Sequence, residues 1–578
     1  MRSADLALVF FLLSPLSPAR AQGTVLDGYS PIVEWLALSA EPVRPIHVSV
    51  LPNGALYFLE PYFQMDPDRH EVAPATAVQI KTLPPPPLSR VCDGTTGICE
   101  LKKLTCSGHA LTADGKLFFG GGSAGQFRYD DSRDSIAGNG ISASLMFDPV
   151  LNKWIMNPDA IGARSATSQA LRWYPAVTRL ADSRMMLTGG YDNVQPTTTF
   201  NRSVEVFDLV TRDWSVTSDF NDTPEGIANP DYPHVYQMPF GHVDRATGVK
   251  YDVVMMLGGS SEPMLLFMNG KKSTWQRSGK LRPGAQAFQD ATAPQGTVPN
   301  HGSSSALLPL RLPESNWGYT NGSVINVGGE HESTMEGNID VYDPGRNQWR
   351  ESIPMNTLRH HPNATILPDG RILILAGHAD SGVDGTGYAE YIDPKYSFSH
   401  SVGIAHMPEV RGYHSMVVLL PDGRVFVGGG NDDGRSGTEK SNFRYYYPDY
   451  MFKARPEVVA TARQIQIGVS FPVLVPYLTR VNEIALLALG SMTHSFDMSQ
   501  RSVQLRLLPV HRTVKYQSKR LVRVTDLSQC SGGAVTCYDR YVAQAPTATN
   551  LASPGHYMLF ALDENRVPSL GKIVKLVP

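Results

Sequence analysis

The chain has 578 residues, of which 42% are hydrophobic and 18% charged, so it can bury a large core and global disorder is excluded. Its formal net charge of −3 leaves no basic field of the kind that attracts nucleic acids or anionic lipids. The 51 glycines and 43 prolines are scattered along the chain, which favours many short strands over long helices.

The first predicted element is a secretory signal peptide over residues 1–21. Arg2 precedes an apolar stretch over residues 6–13, and the small residues Ala19 and Ala21 fit a cleavage site after Ala21. A short buried helix is the alternative for this stretch. We expect a secreted, extracellular protein with no membrane partner. Four Asn-X-Ser/Thr sequons fit export through a glycosylating pathway: Asn201, Asn221, Asn321 and Asn363.

The five cysteines divide into two local pairs and one remainder. Cys92 and Cys99 flank a glycine-bearing loop, as do Cys530 and Cys537, so two disulfides are predicted in an oxidising compartment. Cys106 is left over. An odd cysteine in a secreted protein is linked elsewhere, buried, or used chemically.

A unit of two apolar strands joined by a tight turn, mostly followed by paired glycines, recurs along the chain. Asp-Gly and Asn-Gly between apolar runs are strong hairpin signals, because both turn positions need positive φ. The copies span residues 51–60, 112–122, 180–190, 248–259, 321–329, 367–378 and 420–430. Several copies are followed by a second strand pair that carries a tryptophan, at Trp154, Trp214, Trp275 and Trp349.

Seven units of four strands predict a seven-bladed kelch-type β-propeller over residues 22–452, with the tryptophans between neighbouring blades. A stack of β-sandwiches would not explain the regular glycine pairs. Residues 453–578 lack the repeat but contain alternating strand-like runs. They predict a C-terminal antiparallel β-sandwich of immunoglobulin-like type, so the fold class is all-β.

The repeat also allows equivalent positions to be found by counting residues back from the turn. Eight residues before the turn aspartate stand Cys106, Tyr174, His361 and His414 in the second, third, sixth and seventh units, and Tyr413 adjoins the last. Equivalent positions in a propeller lie on one ring, so these side chains should meet on one face of the channel.

Such a ring suits a redox metal. Imidazole binds copper, zinc, iron and nickel, with copper(II) tightest of the divalent ions, and phenolate adds a redox-active ligand. The ordinary alternative makes the tyrosines core aromatics and the histidines satisfied polar groups. Tyr413 and His414 would point to opposite faces of a regular strand, so this stretch must bend if both bind one metal.

Five segments carry a resemblance to a known family: residues 104–115, 172–190, 412–432, 490–505 and 554–574. They resemble the galactose oxidase and glyoxal oxidase family of copper radical oxidases over nearly the whole chain after the signal peptide. The Cys-Ser-Gly and Arg-Trp-Tyr-Pro forms are more similar to the glyoxal oxidase branch.

The resemblance implies a thioether between Cys106 and Tyr174, which would account for the unpaired cysteine. It implies one copper ion per chain, held by Tyr174, Tyr413, His414 and His494. The count from the turn does not find His494, which lies in the C-terminal domain. As implied by the family, Cys106, Tyr174 and Tyr413 are catalytic: the cross-linked Tyr174 is a radical cofactor that takes the substrate hydrogen, and Tyr413 takes the hydroxyl proton.

One position departs from the family pattern. Galactose oxidase carries a tryptophan just after the glycine pair of the third blade, stacked on the cross-linked tyrosine. Here Gly189 and Gly190 are followed by Tyr191 and Asp192. The stacking residue is therefore unassigned, with Tyr191 as a candidate and a surface turn as its ordinary alternative.

The resemblance implies oxidation of small aldehydes of the glyoxal and methylglyoxal type, as hydrates, to carboxylic acids, with reduction of O2 to H2O2 that peroxidases could use. His361 is a second candidate contact for the substrate. We expect a monomer. The alternatives are an oxidase of primary alcohols or galactose, and a non-catalytic kelch module that binds glycans or proteins and keeps a free Cys106 thiol.

Overall fold

The structure is a computed structural model. It describes residues 28, 33–36, 44–59, 62–65, 77–79, 81–88, 90–92, 98–128, 135–161, 171–193, 199–201, 203–218, 232–258, 260–270, 272–280, 282–283, 302–312, 319–331, 334–335, 337–378, 388–407, 409–431, 440–509, 512–517, 520–531 and 535–578. The signal peptide predicted over residues 1–21 and the sequon at Asn221 lie outside these residues.

Short strands dominate the amino-terminal third. They are β1 Val33–Leu36, β2 His47–Val50, β3 Leu56–Leu59, β4 Phe63–Met65, β5 Ala77–Gln79, β6 Lys81–Thr82, β7 Arg90–Cys92, β8 Ile98–Lys103, β9 Gly108–Leu111, β10 Leu117–Gly120, β11 Ser123–Arg128, β12 Ser135–Gly140, β13 Ser144–Asp148, β14 Lys153–Met156, β15 Ala176–Arg179, β16 Met185–Thr188, β17 Tyr191–Asn193, β18 Thr199–Phe200, β19 Val204–Phe207 and β20 Trp214–Ser218.

The middle of the chain continues in the same manner. Its strands are β21 His234–Val243, β22 Lys250–Gly258, β23 Ser260–Asn269, β24 Lys272–Arg277, β25 Ser304–Leu307, β26 Leu310–Leu312, β27 Val324–Val327, β28 Glu330–His331, β29 Thr334–Met335, β30 Asn338–Asp343, β31 Gln348–Pro354, β32 Asn363–Ile366, β33 Ile372–Leu375, β34 Tyr388–Asp393, β35 Ser399–His406, β36 Ser415–Leu419, β37 Val425–Gly429 and β38 Asn442–Tyr446.

The carboxyl-terminal part adds further strands. They are β39 Ala460–Thr461, β40 Gln464–Gln466, β41 Phe471–Pro476, β42 Glu483–Ala488, β43 Ser491–Thr493, β44 Phe496–Asp497, β45 Ser502–Arg506, β46 Arg512–Gln517, β47 Arg520–Arg523, β48 Cys537–Ala543, β49 Gly555–Leu562 and β50 Lys572–Val577. Helical structure in the described residues is limited to 3₁₀ turns at Pro394–Tyr396 and Asp449–Phe452 and one turn, α1, at Ser528–Ser531. The prediction of an all-β fold is confirmed.

Each of the seven repeats predicted from the sequence lies in a different sheet. Six are hairpins of two successive strands, whereas in the fifth β26 of another sheet lies between the paired strands β25 and β27. We number these sheets 1 to 7 in chain order. Their strand orders are β44-β43-β2-β3-β4-β6, β9-β10-β13-β14, β15-β16-β19-β20, β21-β22-β23-β24, β25-β27-β30-β31, β32-β33-β34-β35 and β36-β37-β38-β1-β5. The strands of each hairpin are mainly buried on both faces, as in β9, β10, β32 and β33. Neighbouring sheets therefore cover each other face to face.

The glycine pairs are explained by how one sheet leads into the next. The amides of Gly122, Gly329 and Gly377 donate to the carbonyl oxygens of Arg172, Arg359 and Arg411, each at 2.9 Å. A Cβ on the preceding residue Gly328 would lie 2.4 Å from the Arg359 oxygen, so only glycine fits there. Shortly before each of these new sheets begins, the backbone thus contacts the glycines of the preceding sheet.

The buried arginines fix the same junctions from the other side. Nη1 of Arg172, Arg359 and Arg411 donates to a carbonyl at the end of the second strand of its own sheet, at 2.6, 2.8 and 2.7 Å. Arg172 and Arg359 are also ion-paired with Glu205 and Glu390, with no exposed side-chain surface on either partner. These bonds hold the one or two residues that follow each arginine.

The tryptophans behave as predicted. Three of them donate an indole hydrogen bond to a carbonyl that follows the last strand of the preceding sheet: Trp154 to Pro84 at 2.8 Å, Trp214 to Pro158 at 2.9 Å and Trp349 to Lys280 at 3.1 Å. Each ring therefore spans the junction between two sheets.

The carboxyl-terminal strands form two sheets around a shared apolar core. Their orders are β26-β45-β42-β49-β50-β40 and β39-β41-β48-β46-β47. Strand β26 comes from the middle of the chain and pairs parallel with β45, whereas the hairpin β43–β44 leaves this region and joins β2 in sheet 1. The second exchange carries the hairpin tip, His494 and Ser495, among sheets 1 to 7.

The sequons differ in how far the fold exposes them. Asn363 is fully buried and its amide donates to Ser415 at 2.8 Å, and Asn201 is 5% exposed. Asn321 is partly exposed, and glycosylation of the chain stays a prediction.

The disulfide prediction is confirmed for Cys530 and Cys537. The backbone of β7 and β8 pairs Cys92 with Cys99, but their side chains lie outside the described residues, so that disulfide stays a prediction. Within the described part of the chain, no helix has the length and apolar character needed to cross a membrane.

Candidate metal centre

Five sheets share an unusual backbone conformation two residues before their first strand. Cys106, Tyr174, Tyr232, Gly302 and His361 occupy this position in sheets 2 to 6, with φ values of 61°, 62°, 42°, 64° and 56°. A left-handed conformation costs about 1–2 kcal/mol for a residue other than glycine. Four residues other than glycine therefore share this strained backbone at equivalent positions.

The count of eight residues before the turn found Cys106, Tyr174 and His361 but missed Tyr232. The count of eight holds only where the first strand is short. In sheet 4, β21 is ten residues long, so the turn lies farther from the position before the strand. Counting from the strand start instead of the turn would have found Tyr232, but the sequence does not mark that start.

Backbone hydrogen bonds link these positions sideways. The Tyr174 amide donates to the Cys106 carbonyl at 3.0 Å, and the Tyr232 amide donates to the Tyr174 carbonyl at 2.9 Å. The His361 amide donates to Gly302 at 2.7 Å in the same way. Side chains from successive sheets are therefore placed next to each other on one face.

Tyr413 and His414 lie side by side, which answers the objection from strand alternation. His414 has φ of 65° and lies just before β36, so the pair is not on a regular strand. The two rings stack with centroids 3.8 Å apart at 30°. The left-handed residue turns both side chains towards the same centre.

The predicted site residues meet around Tyr413. The hydroxyl oxygens of Tyr174 and Tyr413 lie 2.5 Å apart, and His494 Nε2 lies 3.2 Å from the Tyr413 hydroxyl. The His414 and His494 rings are 4.5 Å apart, and the Tyr174 ring is 5.1 Å from His494. His494 thus joins residues from sheets 3 and 7 although it belongs to the carboxyl-terminal part.

Thr493 contacts His494 on its Nδ1 side. The Thr493 hydroxyl lies 3.2 Å from the Ile46 carbonyl and 2.6 Å from His494 Nδ1, so it can donate to the carbonyl while it accepts from the ring. In that arrangement Nδ1 carries the imidazole proton. The lone pair of Nε2 is left facing the centre, which is the arrangement of a metal-binding histidine.

Three buried side chains offer donor atoms close enough to share a metal ion. The sulfur of Cys106 and one nitrogen each of His414 and His494 lie within 4.8 Å of one another. With the phenols of Tyr174 and Tyr413, this donor set fits copper, which accepts imidazole and thiolate ligands. The cluster includes Cys106, which the sequence analysis assigned to a bond with Tyr174 and not to the metal.

A buried histidine pair that the sequence analysis missed lies behind Cys106. The Cys106 amide donates to His47 Nε2 at 3.2 Å, so His47 Nδ1 carries the proton and donates to His109 Nδ1, also at 3.2 Å. Burial lowers the pKa of His47 well below its ordinary value, and burial lowers the pKa of His109 to about 4. Both rings are neutral near pH 7 and hold the backbone of Cys106.

The ring that stacks on Tyr174 is Trp173. Its centroid lies 4.2 Å from that of Tyr174 at 29°, whereas Tyr191 meets Tyr174 edge-on at 6.3 Å and 74°. Tyr191 is fully buried, so both the stacking role and the surface turn considered for it are wrong. Its backbone pairs with that of Trp173 through two hydrogen bonds of 2.7 and 2.9 Å, and so supports Trp173 from behind.

His361 lies beside Tyr413, with ring centroids 5.0 Å apart. It belongs to a histidine group with His360 and His378, whose rings lie 4.0 and 5.9 Å from that of His361. The structure thus places His361 next to the centre, in contact with Tyr413 and not among the donor atoms that converge.

Comparison with known proteins agrees with this arrangement. A family model described as galactose oxidase-like, Early set domain, matches residues 455–576. Galactose oxidase of Gibberella zeae is 22% identical over 503 residues, covering 84% of this chain and 63% of the relative. Aldehyde oxidase GLOX1 of Arabidopsis thaliana is 26% identical over 543 residues, covering 85% and 74%.

These matches support the resemblance of the chain to copper radical oxidases of the galactose oxidase and glyoxal oxidase family. The chain spans 63% of the length of the galactose oxidase relative. A solved fungal alcohol oxidase of the AA5 family, in complex with copper, superimposes with a TM-score of 0.63 at 16% identity, covering 96% of this chain and 100% of that structure. At this identity the last comparison supports the fold alone.

Proposed function

We propose that this protein is a secreted copper oxidase that converts small aldehydes, as their hydrates, to carboxylic acids. The overall change is RCH(OH)2 + O2 → RCOOH + H2O2, in which the hydrate loses two electrons and two protons. The observation that carries the proposal is the meeting of Tyr174, Tyr413, His414 and His494 from sheets 3, 7 and 1 at one buried point.

Copper bound here would supply a one-electron redox couple and a Lewis acid. His414 and His494 would hold it through imidazole nitrogen, together with the phenols of Tyr174 and Tyr413. With Thr493 accepting from His494 Nδ1, Nε2 would be unprotonated for this purpose. The neutral His47 and His109 behind Cys106 add no positive charge to the site.

Tyr413 is the group that would move the proton. Its hydroxyl oxygen shares a short hydrogen bond with Tyr174 and lies within hydrogen-bonding distance of His494 Nε2. When that oxygen is ionised it can accept the proton of a substrate hydroxyl, and general-base catalysis of this kind contributes about 10²–10⁴-fold in rate.

Tyr174 would take the substrate hydrogen as a phenoxyl radical, with Cys106 bonded to its ring through a thioether. The left-handed backbone of both residues and the bond from the Tyr174 amide to the Cys106 carbonyl support this pairing. Trp173 covers one face of the Tyr174 ring and would exclude water from it. The chain itself would thus accept the second of the two electrons that the substrate loses.

The finer architecture is part of the proposal. We propose that sheets 1 to 7 are the blades of a kelch-type β-propeller over residues 22–452 and that residues 453–578 form the C-terminal sandwich, after removal of the signal peptide. Contacts between the first strands of successive sheets, such as β9 with β15 and β32 with β36, support it.

We propose that the chain acts as a monomer and that peroxidases consume its H2O2.

Oxidation of primary alcohols is the second candidate, supported by the match to galactose oxidase. A substrate panel with peroxide detection separates the two. The panel would include glyoxal, methylglyoxal, galactose and simple primary alcohols, assayed with the copper-loaded full-length protein. Activity on the aldehydes supports the first proposal, and activity restricted to alcohols overturns it.

A further inference from the structure

A cationic cleft lies where sheets 3 and 4 meet the carboxyl-terminal part. It is small, with a volume of about 30 Å³, and is partly open to solvent. Arg179 at the end of β15 and Arg501 before β45 line it, together with Gln500 and Tyr557. None of these residues takes part in the metal centre, and the mechanism above leaves the cleft without a role.

Arg501 is buried with few partners. It is 7% exposed, and its Nη2 donates to the Gln237 carbonyl. Its Nη1 is shielded from solvent and has no hydrogen-bond partner among the described residues. A buried charge left so incompletely bonded is costly unless a counter-charge compensates for its loss of hydration.

Arg179 repeats the pattern. Its Nη1 donates to the Leu111 carbonyl at 3.0 Å, while its Nε is buried without a hydrogen-bond partner in the described part of the chain. A Cβ at Gly555 would lie 2.4 Å from Nη1, so the neighbouring backbone leaves room for this guanidinium only because residue 555 is glycine. The arginine is built into the wall of the cleft.

The described residues supply no carboxylate to balance the pair. Neither arginine forms a salt bridge with a described acidic residue, in contrast to Arg172 and Arg359. Asp497, on the nearby hairpin, accepts instead from the backbone amides of Ser491 and Ser499. Burial lowers the pKa of Arg501 to about 10; Tyr557 opposes this shift, and the charge of Arg179 adds to it to a smaller extent.

We propose that this cleft binds a small oxyanion, a carboxylate or an inorganic phosphate or sulfate, between the guanidinium groups of Arg179 and Arg501. Guanidinium groups bind planar carboxylates and phosphates through paired, charge-assisted hydrogen bonds. A bound anion would supply the missing counter-charge. It would also tie sheet 3 to the carboxyl-terminal part.

Titration calorimetry on the copper-free full-length protein tests this without reference to oxidase activity. We expect one site per chain for phosphate or acetate at low ionic strength, and affinity at least about tenfold weaker in Arg501→Met and Arg179→Met. Arg480→Met is the matched control, because that side chain is 85% exposed and its nearest acidic oxygen, on Glu564, lies 4.0 Å away. Acetate binding alone points to a carboxylate ligand and phosphate binding alone to an inorganic one.

Diffraction from wild-type crystals soaked in sodium selenate gives a second readout that does not depend on a variant folding. We expect an anomalous peak between the two guanidinium groups. The proposal is overturned if neither anion binds in solution, if Arg501→Met binds as tightly as the wild type, or if the crystal peak has no counterpart in solution and is an adventitious ion only.

Discussion

The hydroxyl oxygens of Tyr174 and Tyr413 lie 2.5 Å apart, although 239 positions separate the two residues in the sequence. Each comes just before the first strand of its sheet, and each lies at or next to a left-handed residue that follows a buried arginine. The glycine pairs and arginines that shape the junctions between sheets therefore also determine where the two phenols meet.

Removing the Tyr413 hydroxyl should abolish proton transfer while leaving the two histidines in place. We expect Tyr413→Phe to lower kcat about 10²–10⁴-fold, the range for loss of a general base. Copper content and kcat with peroxide detection are the measurements. Tyr388→Phe is the control, because Tyr388 is 40% exposed and belongs to β34. A Tyr413→Phe enzyme with wild-type kcat would exclude this residue as the base.

Removing the Trp173 ring should expose Tyr174 to water. Stacked aromatic pairs contribute about 0.5–1.5 kcal/mol, so Trp173→Ala should shorten the lifetime of the oxidised protein by up to about tenfold. Trp173→Phe keeps a stacking ring and should fall between Trp173→Ala and the wild type. Decay of the visible absorption of the oxidised, copper-loaded protein measures this lifetime. Equal lifetimes for wild type and Trp173→Ala would contradict the role given to the stack.

Thr493 should matter for copper affinity through His494. Thr493→Val keeps the shape of the side chain but removes the oxygen that accepts from His494 Nδ1. Loss of such a supporting group lowers metal affinity about 10–100-fold. Thr493→Ser retains the oxygen and should retain the affinity. Competition with a copper chelator measures both variants, and an unchanged affinity in Thr493→Val would show that this hydrogen bond does not orient the ligand.

Two buried histidines should make the protein sensitive to acid. Burial lowers the pKa of His109 to about 4 and that of His234 to about 3. The unfolded chain takes up these protons near pH 6.5 and the folded chain does not. Their contribution to stability is therefore complete above about pH 6.5 and is lost as the pH falls towards 4, at about 1.4 kcal/mol per pH unit for each group.

Urea unfolding at several pH values between 7 and 4.5 checks this slope. We expect His234→Gln to reduce the dependence of the unfolding free energy on pH by the contribution of one histidine. His242→Gln, which changes an exposed side chain, should leave this dependence unchanged. A His234→Gln variant that loses stability with acid as steeply as the wild type would mean that other groups cause the loss.

The sequence predicted the parts of the fold that depend on local signals. Five of the seven repeats follow from Asp-Gly and Asn-Gly turns and the other two from their apolar runs and glycine pairs. The site residues of sheets 2, 3, 6 and 7 follow from their constant distance to the turn. Tyr232 escaped because β21 is long, and His47 and His109 because no repeat or motif marks them. The stacking of Trp173 on Tyr174 was not predicted, because neighbouring residues stack on each other only where the backbone makes a left-handed bend.

The exchange of strands between the two parts of the chain also could not be predicted from the sequence. Pairing of β43 with β2 joins residues more than 440 positions apart, and nothing local in residues 491–497 indicates that partner. The family resemblance supplied His494, but the reason that it reaches the centre is this pairing. Long-range pairing depends on the assembled sheets and not on the propensity of one segment.

The most direct test of the central claim is mass spectrometry of tryptic peptides from the full-length protein after copper loading in air. We expect the peptides that contain Cys106 and Tyr174 to appear as one covalently linked species, lighter by two hydrogens than the two separate peptides combined. A Cys106 that remains fully open to alkylation after copper loading, with the two peptides separate, would contradict the thioether and with it the proposed radical centre.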